Sequence, residues 1–274
     1  MTMLDVPAVA AVAAVAAVAP AVPGRFAAWR HAMATARART HTAAAAGAGA
    51  ARRTGWRVAT VALCLWAAGC SSQPPVPDWK RNASAAADKA VAASLSGDGR
   101  IAQLEWDRAR QQTARTGQIT LLARLELLHC AAQVASLNLA PCAGFDALRA
   151  DAAPAERAYA DYLAGRATAQ TVPLLPPAQQ STALVPAEQA AQALAAITDP
   201  LSRLVAAGVL LHTGRAHPDV IALATDTASA QGWRRPLMAW LLLQAQRADA
   251  AGDTEEAARL RRRIHLVERS GAKP

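Results

Sequence analysis

The sequence predicts an all-α fold of antiparallel helix pairs for residues 79–268 of the 274-residue chain. Apolar residues recur there at the spacing of one helix face, and helix start and stop signals follow each other at short intervals. Strand patterns are almost absent from the same region. Two apolar stripes carry the prediction, one of Leu121, Leu122, Leu125, Leu128, Ala132 and Ala135, the other of Leu201, Leu204, Val205, Gly208 and Val209. We expect both helices to face a core.

The first 69 residues are excluded from this domain because their pattern fits no regular structure. From Val6 to Val18 a valine recurs at every third residue in an alanine background, which matches neither the period of a helix nor that of a strand. Residues 43–51 consist of alanine and glycine. Such composition is typical of low-complexity sequence. It indicates either translation from upstream of the true start or an unusually long leader.

A secretion signal is predicted directly after this stretch. The basic residues Arg52, Arg53 and Arg57 precede an apolar run over residues 58–69, and Cys70 ends the run. A membrane-spanning helix needs roughly 20 apolar residues, so this run is too short for a permanent span and fits the apolar part of a signal peptide. The alternative is a short buried helix with an incidental cysteine.

The residues Ala67, Ala68, Gly69 and Cys70 resemble the lipobox of bacterial lipoproteins. The resemblance implies that signal peptidase II removes residues 1–69 and that Cys70 carries a covalent lipid, through which the chain contacts the membrane. Several acyl chains give stable attachment, whereas one is marginal. Ser71 stands where aspartate would favour the inner membrane, which implies the periplasmic face of the outer membrane. Residues 70–78 would form the tether.

The charge of the chain depends on this cleavage. The whole sequence has 29 basic and 20 acidic side chains, a net charge of +9. Seven arginines and one aspartate lie in residues 1–69, so the remaining chain has 22 basic and 19 acidic side chains and a net charge of only +3. A strongly basic chain would favour nucleic acid as a partner. The mature chain is not strongly basic, and no nucleic-acid partner is expected.

Two cysteines remain once Cys64 is removed with the signal and Cys70 is lipidated. Cys130 lies in a predicted helix and Cys142 shortly after its expected end, close enough for the chain to bring them together. In an oxidising compartment such a pair is expected to form a disulfide. The alternative is two buried free thiols that behave as small apolar side chains.

Helix boundaries follow from glycines, prolines and capping residues. Asp199 before Pro200 marks one start, and Asp253 with Glu256 marks another. The predicted helices span residues 79–96, 100–116, 118–138, 144–152, 154–164, 186–198, 200–213, 217–231, 235–251 and 254–268. Residues 166–185, which contain several prolines, are predicted to be a loop, and residues 269–274 a disordered tail.

The last two helices carry a second resemblance. Leu241, Ala245, Ala248, Gly252, Ala257 and Ile264 resemble the alternation of small and large residues in a tetratricopeptide repeat. The resemblance implies an antiparallel pair that crosses closely at Ala245 and Ala257. Repeated along the chain, such pairs would form a solenoid with a concave binding surface. An irregular helical bundle is the alternative.

The sequence after Cys70 offers no recognisable catalytic or metal-binding motif. Its histidines, His129, His212, His217 and His265, do not have the spacing of zinc ligands on one helix. Nucleophile-elbow, phosphate-loop and dinucleotide-binding patterns are also absent from that part of the sequence. We therefore assign no catalytic residue, no metal and no cofactor apart from the lipid on Cys70.

Binding to an envelope protein or peptide is the function that these patterns favour. Trp233, Arg234 and Arg235 are the predicted partner contact, because an aromatic ring next to two cations suits an exposed recognition surface. The expected role is a non-catalytic scaffold or adaptor held on the outer membrane. The alternative is a cell-wall-active enzyme, or an activator of one, that uses a carboxylate in a helical cleft. A deep cleft with a buried, protonatable glutamate would distinguish the two.

Overall fold

The computed structural model describes residues 76–271, and this part of the chain is all-α, with helices packed in antiparallel pairs and no strand. The lipobox residues and Cys70 lie outside the described residues. We number the helices in chain order: α1 Asp78–Ser96, α2 Gly99–Ala114, α3 Ile119–Ala135, α4 Ala143–Asp146, α5 Pro154–Leu163, α6 Pro177–Ala183, α7 Ala187–Ala195, α8 Pro200–His212, α9 Pro218–Gln231, α10 Arg234–Ala250 and α11 Thr254–Ser270. Short 3₁₀ turns lie at Arg149–Asp151 and Val172–Leu174.

The sequence prediction was wrong in three places. Residues 166–185, predicted to be a loop, contain helix α6, because Pro177 occupies its first turn, where a proline is favourable. The helix predicted over residues 144–152 is only the single turn α4 followed by a 3₁₀ turn. Helix α11 continues to Ser270, into the segment predicted to be a disordered tail.

Aspartates fix the first turns of three helices. The side chains of Asp98, Asp199 and Asp253 accept hydrogen bonds from backbone N–H groups three residues later, at 3.2, 2.7 and 3.0 Å. Each bond satisfies one of the N–H groups that a helix leaves free at its start, worth about 1 kcal/mol. The starts predicted at Asp199 and Asp253 are thus explained by local chemistry.

Helices α3 and α8 form the centre of the fold. Every residue of α8 from Leu204 to Leu210 is buried, so this helix has neighbours on all sides. Its Gly208 faces α3 so closely that a Cβ atom there would lie 2.5 Å from the carbonyl oxygen of Val134. The close crossing therefore requires a residue without a side chain.

Two alanine-lined hairpins flank this centre. The first joins α1 and α2 around Ala86, Ala90 and Ala109, with Trp106 fully buried between them. The last joins α10 and α11 around the buried residues Leu241, Ala245, Ala248, Ala257, Leu260 and Ile264, all but Leu260 predicted from the repeat-like pattern.

The last hairpin packs against the first part of the chain. Helix α10 packs against α1 and α9. Its buried Trp240 donates a hydrogen bond of 3.3 Å to the backbone oxygen of Ala135 at the end of α3. Residues far apart in the sequence thereby come together at the C-terminal end of α3.

Arginines tie loops to helices by donating to backbone oxygens. Arg215 donates to the carbonyl oxygens of Ala183 and Val185, both at 2.9 Å, and Arg203 donates to that of Ile197 at 2.9 Å. Burial lowers the pKa of the Arg215 guanidinium from its ordinary value. Such bonds satisfy carbonyl groups that helix ends leave free.

None of the described helices is both long and apolar enough to cross a lipid bilayer.

Candidate partner-binding groove

A cavity of about 750 Å³ opens where α10 begins beside the ends of α1, α3 and α11. We call it the Arg235 groove. Helix α3 and the loop after it line it with Gln133, Ser136 and Asn138, and α10 lines it with Arg235, Met238 and Leu242. Its lining therefore combines a positive charge, hydrogen-bonding side chains and apolar surface, the mixture found in ligand-binding clefts.

Arg234 closes one part of this cavity and has a structural role. Its guanidinium lies between the C-terminal ends of α1 and α11: a Cβ atom on Gly97 would lie 3.1 Å from it, and one on Gly271 would overlap it. Helix C-termini carry partial negative charge, which favours a cation at this position. The glycines at the two helix ends make room for the arginine.

Arg235, the next residue, is exposed and forms no ion pair or hydrogen bond within residues 76–271. Leu242 follows seven residues later on α10, about 10 Å along the helix axis, and 45% of its surface is exposed. Met238 and Ala239 lie between the two and also line the cavity. One ridge of α10 therefore presents a cation at one end and apolar side chains over the next two turns.

The turn after α3 presents the polar part of the lining. Asn138 N–H donates to the Gln133 carbonyl oxygen at 3.0 Å, and Leu137 N–H donates to that of Val134 at 2.9 Å. Leu137 has a φ of 59°, a left-handed conformation that costs a side-chain-bearing residue about 1 kcal/mol and is normally given to glycine. Packing of its side chain against the main core offsets this cost. The turn directs Ser136 and Asn138 to the groove.

Cys130 and Cys142 bracket this turn. Their sulfur atoms lie at bonding distance and their Cα atoms are 5.7 Å apart, within the usual range for disulfides. Cys130 belongs to α3 and Cys142 precedes α4. The cysteine pair predicted from the sequence is thus positioned to hold both ends of the segment that borders the groove.

A second cavity, of about 260 Å³, lies beside residues 139–142, next to the cysteine pair. Arg149 and Arg166 are among its lining residues, and both donate to Asp161, at 3.2 and 2.9 Å. Arg149 also pairs with Asp146, so two carboxylates match the two arginines, and this smaller cavity offers a charged ligand less than the Arg235 groove does.

A buried ion pair joins α2 to α3. Arg110 binds the buried carboxylate of Glu126 with two parallel hydrogen bonds, 2.6 Å from Nε and 3.0 Å from Nη2. The hydrogen bond to Glu126 raises the pKa of the Arg110 guanidinium. Gly144 leaves room for this carboxylate, because a Cβ atom there would overlap it. The paired geometry is among the strongest that side chains form.

His129 belongs to the same network. Its Nδ1 lies 3.2 Å from Nη2 of Arg110 and its Nε2 lies 3.2 Å from the side-chain amide of Gln133. Since Arg110 can only donate, Nδ1 accepts and neutral His129 carries its proton on Nε2, which donates to the Gln133 amide when the oxygen of that amide is turned toward the ring. Burial, and then the charge of Arg110, lower the pKa of His129 from its ordinary value of 6.5. Gln133 connects this network to the groove.

The other two buried glutamates are paired as well. Glu156 accepts a hydrogen bond of 2.6 Å from Arg124, which joins α3 to α5. Glu105 lies 3.3 Å from Arg108 on the same helix. In residues 76–271 each buried glutamate therefore has an arginine partner. The pairs of Glu126 and Glu156 join two helices, whereas that of Glu105 lies within α2.

The structure separates the residues that the sequence grouped as a partner contact. Arg234 and Arg235 line the groove, whereas Trp233 lies half-buried against the main core at the start of α10. Trp106 and Trp240 are buried. His212 and His217 are exposed, and no group of three metal-binding side chains occurs among the described residues.

Sequence reasoning missed the other residues of the groove. Ser136, Asn138 and Leu242 were not predicted as contacts. The one local signal was the pair of arginines before an apolar helix.

No protein-family model, no curated protein and no solved structure matches this chain. Its function is therefore argued from the groove and from the sequence.

Proposed function

We propose that this chain is a lipid-anchored adaptor on the periplasmic face of the outer membrane, and that it binds a segment of an envelope protein in the Arg235 groove. The observation that carries the binding role is the groove itself, about 750 Å³ in volume, with an exposed cation beside an apolar strip of half-buried Met238 and Ala239 and exposed Leu242. Exposed apolar surface bordered by polar groups is typical of interaction sites. The lipobox resemblance supports the anchor.

The alternative role, a cell-wall enzyme or its activator, would need a carboxylate able to exchange a proton in a cleft. Glu126 is the buried carboxylate in the network of Arg110 and His129, and both of its oxygens bind Arg110. Such pairing favours a structural role for Glu126, and so the adaptor is the better supported of the two proposals.

The anchor is tested by replacing Cys70 with serine and following acyl labelling and membrane fractionation. We expect the label to disappear and the protein to leave the membrane fraction. Labelling unchanged by Cys70→Ser would show that the lipobox interpretation is wrong, and it would leave the groove proposal untouched.

The binding role is tested by placing a photo-crosslinking amino acid at Met238 or Leu242 in living cells. The matched control is Leu104, which is 63% exposed on α2 and does not line the groove. We expect a discrete crosslinked product from the groove positions that is absent from the Leu104 position. It should disappear when Ala239→Trp fills the groove. Identical products from Leu104 and Leu242, or a product insensitive to Ala239→Trp, would overturn the proposal.

A further inference from the structure

The Arg235 groove has a charge that constrains its ligand. Of the residues that line it, Arg234 and Arg235 are cationic and Glu268 is anionic. Glu268 faces the ring of His265 at 3.1 Å, and Arg234 fills the space between two helix ends. Of the two cations in the described lining, Arg235 is therefore the one left for a ligand.

The positive character at this position comes from the exposed guanidinium of Arg235 at the start of α10. A carboxylate there would receive charge-assisted hydrogen bonds.

The apolar part of the groove fixes where the rest of the ligand must lie. Leu242 is seven residues from Arg235, about 10 Å along α10, with Met238 and Ala239 between them. In a peptide helix that runs along α10, the side chain opposite Arg235 would be followed one turn later by a side chain opposite Met238 and two turns later by one opposite Leu242. Gln133, Ser136 and Asn138 can bind its polar groups.

We infer that the ligand of the Arg235 groove is an acidic, amphipathic peptide segment, with a carboxylate on Arg235 and apolar side chains one and two turns away against Met238 and Leu242. This inference rests on the proposed adaptor function and names the chemistry of its partner. The positive end of the groove and the apolar strip of α10 select for both features at once.

The test uses the purified full chain and a fluorescein-labelled, alanine-rich peptide of twelve residues. The peptide carries glutamate at its third position and leucine at its seventh and tenth. A second peptide has glutamine in place of the glutamate, and a third has alanines in place of the leucines. Binding is measured by fluorescence anisotropy at low and high salt. We expect the first peptide to bind about tenfold more tightly than either of the others, and the preference for glutamate to shrink at high salt.

Matched variants assign the effect to the groove. Arg235→Gln should make the glutamate and glutamine peptides bind equally, because the charge partner is gone. Arg262→Gln, which removes an exposed arginine of α11 outside the groove lining, should leave the glutamate preference intact. Circular dichroism spectra and melting temperatures of both variants should match those of the parent chain, because both side chains are exposed.

Two outcomes would overturn the inference. One is equal binding of the glutamate and glutamine peptides to the parent chain, and the other is the absence of measurable binding of all three. Neither removes the adaptor proposal, which depends on the in-cell crosslinking at Leu242. Crosslinking that fails while the peptide preference holds would instead overturn the adaptor role and keep the site.

Discussion

Helix α3 is covered by α2, α5 and α8 over most of its length, whereas Gln133 in its last turn and the loop that follows border the Arg235 groove. In the covered part, the charged side chains Arg110 and Glu126 meet each other, and Gly208 brings α8 against the backbone. At the last turn, polar side chains from α3 and the arginine of α10 face a cavity. In the covered part of α3, charged side chains therefore bind each other. At its last turn, polar side chains line a cavity that a ligand can enter.

Because of this difference, we expect stability and ligand binding to depend on different residues. Substitutions in the covered part should change the free energy of unfolding, while substitutions of Arg235 or Leu242 should change binding and leave stability nearly constant. Variants of the two parts test that division, and the largest effect is expected in the covered part.

Removing the charge partner of Glu126 should cost the most. Arg110→Met retains much of the apolar stem but leaves a buried carboxylate without its cation, which typically destabilises by about 3 to 5 kcal/mol. The double variant Arg110→Met with Glu126→Gln should recover a large share of this loss, because no charge remains buried. Urea denaturation of the single and double variants gives the free energies of unfolding. A single variant as stable as the parent would contradict the buried ion pair.

Removal of the cysteine link should have the next largest effect. On the chain-entropy model, a bridge between Cys130 and Cys142 stabilises by about 3 kcal/mol, so the double variant with serines should lose about that much. Alkylation of the exported, unreduced and denatured protein should modify neither cysteine. Two alkylated thiols would show that the pair is reduced in the cell. Because the segment between these cysteines supplies Ser136 and Asn138, peptide binding should weaken as well.

The close crossing of α8 and α3 gives a cleaner test of packing. Gly208→Ala adds a methyl group 2.5 Å from a backbone oxygen, and relief of that overlap should cost about 2 kcal/mol despite the better helix propensity of alanine. Gly99→Ala is the matched control, since a Cβ atom there would meet nothing within 4 Å. We expect a lower melting temperature for the first variant only. Equal melting temperatures would mean that the helices can move apart freely.

The last hairpin should respond in the same way on a smaller scale. Ala257 is fully buried between α10 and α11, whereas Ala251 is exposed beside the turn. Ala257→Leu should destabilise by at least about 1 kcal/mol, and Ala251→Leu by less than about 0.5 kcal/mol. Thermal unfolding of the two variants compares them directly. Negligible shifts in both would contradict the repeat-like crossing.

The hairpin and the groove also show how far the sequence could predict this molecule. Leu241, Ala245 and Ala257 lie within one hairpin, so their spacing alone indicated which faces meet, and the helix starts at Asp199 and Asp253 follow from local hydrogen bonding. These features were predictable because their causes lie a few residues apart.

The groove depends instead on contacts between distant parts of the chain. Gly97, Asn138 and Leu242 are brought together by the packing of α10 against α1 and by the bond from Trp240 to α3. No local pattern encodes that meeting. For the same reason, the sequence predicted Trp233 to be an exposed contact, whereas it lies half-buried against the main core.

The smallest expected effect concerns His129, which lies between the covered network and the groove. Its pKa in the folded protein is below 6.5, so between that lower pKa and 6.5 the unfolded chain binds more protons than the folded one. The stabilisation by neutral His129 is therefore complete above pH 6.5 and declines as the pH falls through this window. One proton limits the slope to about 1.4 kcal/mol per pH unit.

His129→Gln should reduce this loss of stability, since glutamine does not titrate. Urea denaturation at pH 7.5 and pH 5.5 gives the change in unfolding free energy for each protein, and the parent should lose more than the variant. The charged and polar groups that face His129 are Arg110, Glu126, Asp107 and Gln133. An identical pH dependence in the two proteins would mean that His129 is protonated equally well in the folded and unfolded chain. The covered network would then be open to water, as the groove is.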